Sequence, residues 1–573
     1  MTVNSGGAVN NSPTGPISEL ADRLISTRGM IDPITSLCSG VANVEPTSAD
    51  FSPDGLEQRV ETWRGLLREL DGIAPRDRDE QHAVLHMEDW LKAEIGRWGS
   101  AEAVMMGQLM NGPASEVLRL VQALHPTSSD EWAYFAAFLS ATPRTLVSLQ
   151  QSLQKGLDES NITTLREAEL LLALAEGVAS TGPGGLLAAH SESIDEAGRS
   201  RQDVAIAITA TRRAHEQFSE FLRRDYLPAC HTSEGTGAER YVPHVGWYLQ
   251  GTKDPRDVYE RCWDEFEETR SQMRLLAHQL FAGKQVHDVV WMLDSDLSFV
   301  ADSDRDLVRW FATHIDRMRI SFGEQVFDIP AEFDCLEVRT TSSFTSALVY
   351  MVDPAEGFAR PGVCCLRPTG ELQIPLWRYA TVANYGGFPG SHLQACNLVK
   401  NSHRLNRAQQ LLFIHVHRLG WAHFAESLVD ELGYFEGHPG LRLGYLQQRI
   451  LRIVRVLCDV GFHLQLRLPR QAPLGAGETW SYQLAVRYLS HEAFMTRSEA
   501  IVEMNRFVGS PANSLPFKVG AWAWRDSYES CMRYEAASFD RREYFRQALS
   551  MSPLGTDHLA NELSKIRTQG VTV

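Results

Sequence analysis

We predict a large, mostly α-helical protein with a small β-meander. In the first half of the chain, apolar residues recur at positions i, i+3, i+4 and i+7 in four segments: 56–70, 80–98, 132–139 and 165–178. That spacing places them on one face of a helix. Between residues 332 and 367 the period changes from 3.6 to 2, and threonine and valine become frequent, as in short strands. After residue 394 the helical pattern continues nearly to the end of the 573-residue chain.

The composition along the chain predicts three parts. Residues 1–16 are rich in Asn, Ser, Gly and Pro and contain neither a positive segment nor an apolar one. We interpret them as a disordered lead-in and not as a secretory signal. Residues 17–252 are predicted to form an N-terminal helical lobe that ends in a Pro- and Gly-containing connector, 226–252. Residues 253–573 form the C-terminal lobe, which begins with a long helix after Asp254-Pro255.

The predicted meander occupies about 332–368. Leu336, Val338, Val349 and Val363 alternate with other residues there, which is typical of strands with one buried face. The segment 360–362 reads Arg-Pro-Gly and is interpreted as the turn before the last strand.

Charge and cysteine usage limit the classes of partner and compartment. The formal net charge is −17, which argues against nonspecific nucleic-acid binding because that binding relies on a basic surface. No apolar run approaches the roughly 18 residues that a membrane span requires, so no membrane partner is expected. Nine cysteines are dispersed without CxxC spacing, a pattern that favours a reduced cytoplasmic location. The oligomeric state stays open.

Two motifs dominate the second half of the chain. Residues 384–394 read Asn-Tyr-Gly-Gly-Phe-Pro-Gly-Ser-His-Leu-Gln, and residues 419–428 read Leu-Gly-Trp-Ala-His-Phe-Ala-Glu-Ser-Leu. They resemble the active-site motifs of the DUF885 family, which is α-helical and zinc-peptidase-like. The corresponding family motifs are His-Glu-x-x-Pro-Gly-His-His-x-Gln and Glu-Gly-Trp-Ala-x-Tyr-x-Glu. Weaker similarity continues through 455–463, 503–507 and 511–520, so the resemblance covers most of the chain.

The family's metal-ligand positions are occupied by residues that cannot rebuild a zinc site. Tyr385 and Gly386 replace His-Glu, Ser391 replaces the second ligand His, and Leu419 replaces the ligand Glu. A catalytic zinc needs three protein ligands and an open position for water. We therefore expect no metal at these positions and no cofactor. Phe517 and the pair Tyr544-Phe545 depart from the family pattern as well.

The resemblance implies two lobes around a deep central cleft, with the degenerate metal-site helices (384–468) at its base and the meander as one wall. Tyr350 and Arg360 match family positions in that wall. An edge strand there can receive an extended substrate, although a plain scaffold strand is an equally good interpretation.

Two polar stripes lie on otherwise apolar helices. Leu419, His423, Glu426 and Asp430 share one helix face, and a second stripe consists of Arg452, Arg455, Asp459 and His463. Each has a structural interpretation, as solvated or ion-paired side chains, and a functional one, as an acid–base pair. Ser391 and Gln394 have the spacing of a helix-capping box, but a polar group in place of the metal is the alternative for Ser391. His415 and His417 are too poorly spaced for a metal site.

Our leading functional hypothesis is a metal-independent tailoring enzyme, of bacterial secondary metabolism, that acts on an amide or other small organic substrate. The predicted acid–base residues are His392, His423, Glu426, Asp459 and His463. The predicted substrate-binding residues are Tyr385, Ser391, Arg455, Lys518, Tyr350 and Arg360. The alternatives are a catalytically dead pseudopeptidase that binds a peptide or a partner protein, and a metallohydrolase with relocated ligands.

The enzyme hypothesis makes a geometric prediction. His423, Glu426, Asp459 and His463 should point into one cavity beside Tyr385, Ser391 and His392. At least one of these histidines should have a raised pKa, because a carboxylate beside it would favour the imidazolium.

Overall fold

The computed structural model describes residues 13–105, 112–182, 185–340 and 348–568. The predicted lead-in, 1–16, lies largely outside these residues, and the first helix already begins at Pro16. The helices of the first half are α1 Pro16–Ile31, α2 Pro33–Cys38, α3 Pro53–Asp71, α4 Arg78–Trp98, α5 Glu116–Ala123, α6 Ser129–Asp158, α7 Leu165–Ala179, α8 Ala188–Glu192, α9 Arg201–Phe221, α10 Ala238–Leu249, α11 Pro255–Leu280 and α12 Val286–Asp294.

The second half contains the sheet and the motif helices. The strands are β1 Val300–Ala301, β2 Leu336–Thr340, β3 Val349–Val352, β4 Gly362–Leu366 and β5 Ile374–Pro375. The helices are α13 Asp304–Val326, α14 Tyr379–Gly386, α15 Ser391–Lys400, α16 Arg407–Leu411, α17 His415–Glu431, α18 Pro439–His463, α19 Tyr482–His491, α20 Arg497–Val508, α21 Leu515–Glu535, α22 Arg541–Leu549 and α23 Thr556–Leu563. The prediction of a mostly helical protein with a small sheet is confirmed.

The sheet is not a meander. Its strand order is β2-β4-β3, with β2 parallel to β4 and β3 antiparallel to β4. Consecutive strands of a meander would pair with each other, whereas here β4 lies between the two strands that precede it. β4 is buried along its whole length, as expected for the central strand. Period-2 patterning identified the strands but carries no information about which strand pairs with which.

The predicted connector between the two lobes is partly helical. Helix α10 occupies most of its second half and contains Pro243. One continuous apolar core extends from Ile17 to Ile566 and includes side chains from both halves of the chain. Helices α1 and α4 both pack against α16, which joins the halves directly. The lobe boundary at residue 252 therefore stays an interpretation of the sequence.

Helix α17, which carries the second motif, crosses α21 at two glycines. An ideal Cβ on Gly420 would overlap the backbone of Gly520, and one on Gly520 would overlap the carbonyl oxygen of Val416. The two helix backbones therefore lie closer together than they could if either position carried a side chain. Within the described ranges, no helix has the length and apolar content that crossing a membrane requires.

We expect Gly420→Ala to lower the free energy of unfolding by about 2–3 kcal/mol, because an added methyl group forces the two helices apart. The matched control is Gly65→Ala in α3, where an added Cβ meets no atom within 4 Å. That control should be neutral or stabilise by up to about 1 kcal/mol, since alanine favours the helix. Urea denaturation of both variants measures the difference, and equal stabilities would contradict the close crossing.

Candidate functional site

The two motifs pack against each other through backbone groups. The loop between α14 and α15 contains Pro389 and Gly390, and the indole N–H of Trp421 lies 3.1 and 3.2 Å from their carbonyl oxygens. The Gly-Trp and Pro-Gly parts of the motifs therefore hold the helices together.

A cavity of about 950 Å³ lies where the motifs meet. Tyr385, Ser391 and Leu419, three of the four positions that correspond to metal-site residues, line it. Gly386, the fourth, does not line it, and a Cβ there would lie 3.0 Å from the sulfur of Met351. The opposite wall comes from α1, α4 and α5 of the N-terminal half. Residues from both halves of the chain therefore line this cavity.

The cation next to Tyr385 is an arginine. The guanidinium of Arg452 lies 4.8 Å from the centre of the Tyr385 ring. Its Nη1 atom lies 2.8 Å from Oε2 of Glu426. A cation over an aromatic face is attracted by the ring quadrupole. Burial raises the pKa of Tyr385 to about 12, with Arg452 opposing the shift, so the phenol is neutral at physiological pH.

Two further arginines share one buried carboxylate. Nε of Arg455 lies 2.7 Å from Oε1 of Glu503, and Arg506 pairs with the same oxygen at 2.5 Å. Arg506 also donates to Asn513. Burial lowers the pKa of Arg455 to about 10, which leaves it charged at neutral pH. Arg455 was predicted as a substrate-binding residue, and it lines the cavity together with Arg452 and Arg506.

Arginines dominate the charged lining of the cavity. Among the residues that the structure describes, nine contribute to it: Arg28, Arg97, Arg119, Arg367, Arg378, Arg418, Arg452, Arg455 and Arg506. Six acidic residues line the same space: Asp32, Glu94, Asp294, Asp353, Glu371 and Glu499. The lining therefore has a positive formal balance within a protein of net charge −17.

Glu426 and His423 lie behind this cavity and not in it. Glu426 is 1 % exposed, and it accepts a hydrogen bond from Thr381 at 3.0 Å as well as pairing with Arg452. Burial raises its pKa to about 7, while Arg452 opposes the shift. His423 lies 3.4 Å from Glu426 and lines a second pocket of about 560 Å³, to which residues nearer the C-terminal end of α17 contribute.

Asp459 fixes the loop between α20 and α21. Its four hydrogen bonds come from the backbone N–H groups of Ala512 and Ser514, the hydroxyl of Ser514 and the phenol of Tyr241, at 2.6–3.1 Å. The carboxylate is fully buried and lines neither pocket. Desolvation raises its pKa above the ordinary value, and the four donors oppose that shift.

His463 is held by backbone groups. The N–H of Thr236 donates to its Nδ1 atom at 3.3 Å, and its Nε2–H donates to the carbonyl of Phe507 at 3.0 Å. Burial lowers its pKa to about 3, so the ring is neutral. Asp459 and His463 of the polar stripe therefore form no ion pair, although their atoms lie 4.0 Å apart. Arg455 of the same stripe pairs with Glu503 and not with Asp459.

The remaining predicted residues divide between the cavity and other surroundings. Tyr350 lines the cavity, but Arg360 does not. Lys518 lines the second pocket, where it pairs with Glu265. His392 is 1 % exposed and outside both pockets.

Ser391 is not a helix cap. It is the first residue of α15, Gly390 takes the cap position, and no side-chain capping bond forms. Both polar atoms of the Gln394 side chain are buried without a hydrogen-bond partner. The backbone N–H of Gln394 donates to the carbonyl of Gly390 at 3.3 Å. Ser391 instead presents a polar group to the cavity.

The prediction that the acid–base residues share one cavity is wrong. His392, His423, Glu426, Asp459 and His463 do not line the space that holds Tyr385 and Ser391. The pKa values of His392, His423 and His463 are lowered, not raised, because burial disfavours the charged ring, and at His423 the nearby cation Lys518 lowers the pKa further. Residue spacing placed these side chains on helix faces correctly, but several of the faces pack against other helices.

The arginines of the N-terminal half were not predicted as site residues. Arg97 illustrates the signal that could have found them, since it follows Trp90 and Ala93 by seven and four positions on the apolar face of α4. Desolvation lowers the pKa of Arg97 and of Arg28. An arginine in an apolar stripe predicts either a buried ion pair or a cavity.

A model of the DUF885 family, described as bacterial protein of unknown function, matches residues 33–563. The chain belongs to the DUF885 family. No curated protein matches the sequence. Among solved structures, a putative lipoprotein from Colwellia psychrerythraea superposes with a TM-score of 0.81 at 15% identity, covering 96% of this chain and 98% of that one. A putative lipoprotein of unknown function from Shewanella oneidensis gives a TM-score of 0.71 at 14% identity, covering 96% and 100%.

These descriptions overturn the cytoplasmic location that we predicted for this DUF885 member. Both solved structures are described as putative lipoproteins, which points to a membrane-anchored or secreted location. The prediction relied on dispersed cysteines, and all nine are free thiols in the structure. Dispersed cysteines indicate that disulfides are few, but they do not specify a compartment. At these identities the likeness shows the fold alone.

Proposed function

We propose that this DUF885 member binds an anionic organic ligand, a small molecule or a peptide-like one, in its central cavity, without a metal at the family's ligand positions. The observation that carries the proposal is the trio Arg452, Arg455 and Arg506 lining the same space as Tyr385, Ser391 and Leu419. Fixed guanidinium groups thus stand beside the positions where the family places a cation.

Charge and geometry together favour a carboxylate-bearing ligand. Arginine binds carboxylates through parallel N–H donors, and such charge-assisted bonds are about twice as strong as neutral ones. The lining has nine arginines against six acidic residues, and an excess of positive charge in a cleft concentrates anionic ligands. The carboxylates that hold the trio, Glu426 and Glu503, lie behind the arginines, so they orient the guanidinium groups without filling the cavity.

The size and apolar lining of the cavity favour an organic ligand over an inorganic anion. Its volume of about 950 Å³ is at the upper end of small-molecule sites. Aromatic side chains contribute much of the wall: Trp90, Trp98, Trp247, Tyr350, Tyr385, Phe413, Phe494 and Phe517. We therefore expect an aromatic or aliphatic body next to the anionic group.

A metal-independent tailoring enzyme is the second candidate function. Tyr385 and Ser391, which carry hydroxyl groups, line the cavity. Glu426, whose pKa is raised to about 7, pairs with Arg452 of the cavity lining. A carboxyl group with such a pKa is suited to proton transfer near neutrality. A binding function is favoured because the other four predicted acid–base residues do not converge on the cavity.

Titration calorimetry with a matched pair of peptides tests the binding function. The probes are a short N-acetylated aromatic peptide with a free C-terminal carboxylate and the same peptide with a C-terminal amide. We expect the carboxylate form to bind at least about tenfold more tightly, since a charge-assisted hydrogen bond contributes about 1.5–3 kcal/mol. Added salt should weaken binding of the carboxylate form.

Arg455→Met should weaken that binding by about tenfold or more. Arg442→Met is the matched control, because Arg442 is half exposed and pairs with Asp430 outside the central cavity. Equal affinity for the two peptides, or equal loss in both variants, would contradict an anionic ligand held by the trio.

A further inference from the structure

A second group of potential ligands lies outside the cavity. Cys335, His392 and Cys396 each offer one atom, and these atoms lie within 4.8 Å of one another. None of the three lines the central cavity or the second pocket. Two thiols and an imidazole form a donor set that suits zinc and other borderline or soft transition metals.

Local structure brings the three side chains together. His392 and Cys396 are four residues apart on α15, so they share a helix face. Cys335 follows a short 3-10 helix, Ala331–Asp334, immediately before β2. Sγ of Cys396 lies 3.4 Å from Nε2 and 3.9 Å from Nδ1 of His392. A tetrahedral ion with ordinary Zn–S and Zn–N bonds separates its sulfur and nitrogen ligands by about 3.6 Å.

The imidazole has the orientation of a metal ligand. Its Nε2–H donates to the carbonyl oxygen of Phe333 at 2.8 Å, which leaves Nδ1 as the acceptor. A backbone carbonyl that fixes the tautomer in this way is the usual outer partner of a metal-bound histidine. Gly362 borders Nδ1, and a Cβ on that residue would lie only 2.8 Å from it. The absence of a side chain at Gly362 keeps the space beside Nδ1 free.

We propose that Cys335, Cys396 and Nδ1 of His392 bind one transition-metal ion, with Zn²⁺ as the best fit, and that a water molecule completes the tetrahedron. Binding releases the two thiol protons, so two thiolates balance the charge of the ion. Cys335 is half-buried, so water can reach the position of the fourth ligand from this side. The ion would connect the turn before β2 to the first turns of α15. The first residue of that helix, Ser391, lines the central cavity.

Cobalt substitution tests this site in the full-length chain. Reduced, metal-free protein is titrated with Co²⁺, whose bonds to thiolates give a charge-transfer absorption in the near ultraviolet. We expect one Co²⁺ per chain and its displacement by one equivalent of Zn²⁺. Cys335→Ser, Cys396→Ser and His392→Gln should each weaken binding by about tenfold or more.

The matched control is Cys531→Ser, because Cys531 is a buried free thiol outside the cluster. It should leave both the stoichiometry and the absorption unchanged. Gly362→Ala is a second test that retains every ligand, and we expect it to weaken Co²⁺ binding by about tenfold as well. Near-ultraviolet circular dichroism establishes that each variant is folded before its titration is interpreted.

Three results would overturn the metal site. They are no Co²⁺ uptake by the reduced protein, uptake that the three ligand variants do not change, and a Cys335–Cys396 disulfide that re-forms in preference to metal binding. Peptide binding in the central cavity depends on different residues, so this proposal and the proposed function succeed or fail separately.

Discussion

Asp459→Asn is expected to lower the free energy of unfolding by about 2–4 kcal/mol, because an amide nitrogen cannot accept a hydrogen bond. Both carboxylate oxygens of Asp459 accept from two donors each. Whichever way the amide is turned, two donors lose their acceptor and face an N–H group. Chemical denaturation at neutral pH measures the loss.

Asp526→Asn provides the matched control, since Asp526 is largely exposed and lies 3.9 Å from Arg261. Its effect should stay within about 0.5 kcal/mol. A fully stable Asp459→Asn protein would contradict the structural role. The acid–base role predicted from the sequence would require an intact fold together with the loss of an activity.

Arg452→Met should destabilise the protein by about 3 kcal/mol or more at pH 8, because it leaves Glu426 buried without its charge partner. The two side chains are 6 % and 1 % exposed, so water cannot replace the missing cation. The double variant Arg452→Met/Glu426→Gln should recover most of this loss, since it removes the unpaired charge as well. A double-mutant cycle measured by urea denaturation gives the coupling energy.

The effect of Arg452→Met should be smaller at pH 5 than at pH 8. The folded-state pKa of Glu426, about 7, is above its unfolded value of about 4.5. Folded protein therefore holds the proton between these values, and the contribution of Glu426 to stability falls as pH rises through that window. Without Arg452 the folded pKa rises further, so this fall continues above pH 7. A loss independent of pH would contradict the ion pair as its cause.

The matched control for this pair is Arg442→Met, which breaks a half-exposed pair with Asp430. Surface pairs contribute about 0–1 kcal/mol. We therefore expect a small and nearly pH-independent change in this variant.

The sequence by itself determined the family and the helical fold class, and it predicts that the metal ligands are lost. Apolar periodicity placed α3, α4 and α7 within a few residues of their observed ends. The substitutions at Tyr385, Ser391 and Leu419 were readable because their motif neighbours are intact. These features depend on local spacing and on residue identity, both of which a single chain displays directly.

The tertiary structure alone decided which helix faces meet the cavity. Spacing puts His423 and Glu426 on the same face as Leu419, yet only Leu419 lines the cavity, because α18 and its Arg452 cover Glu426. The order of the strands in the sheet could not be predicted from the sequence either. The same holds for the arginines that the N-terminal half contributes to the cavity. Periodicity defines a direction relative to a helix axis, whereas the surroundings in that direction depend on contacts between residues hundreds of positions apart.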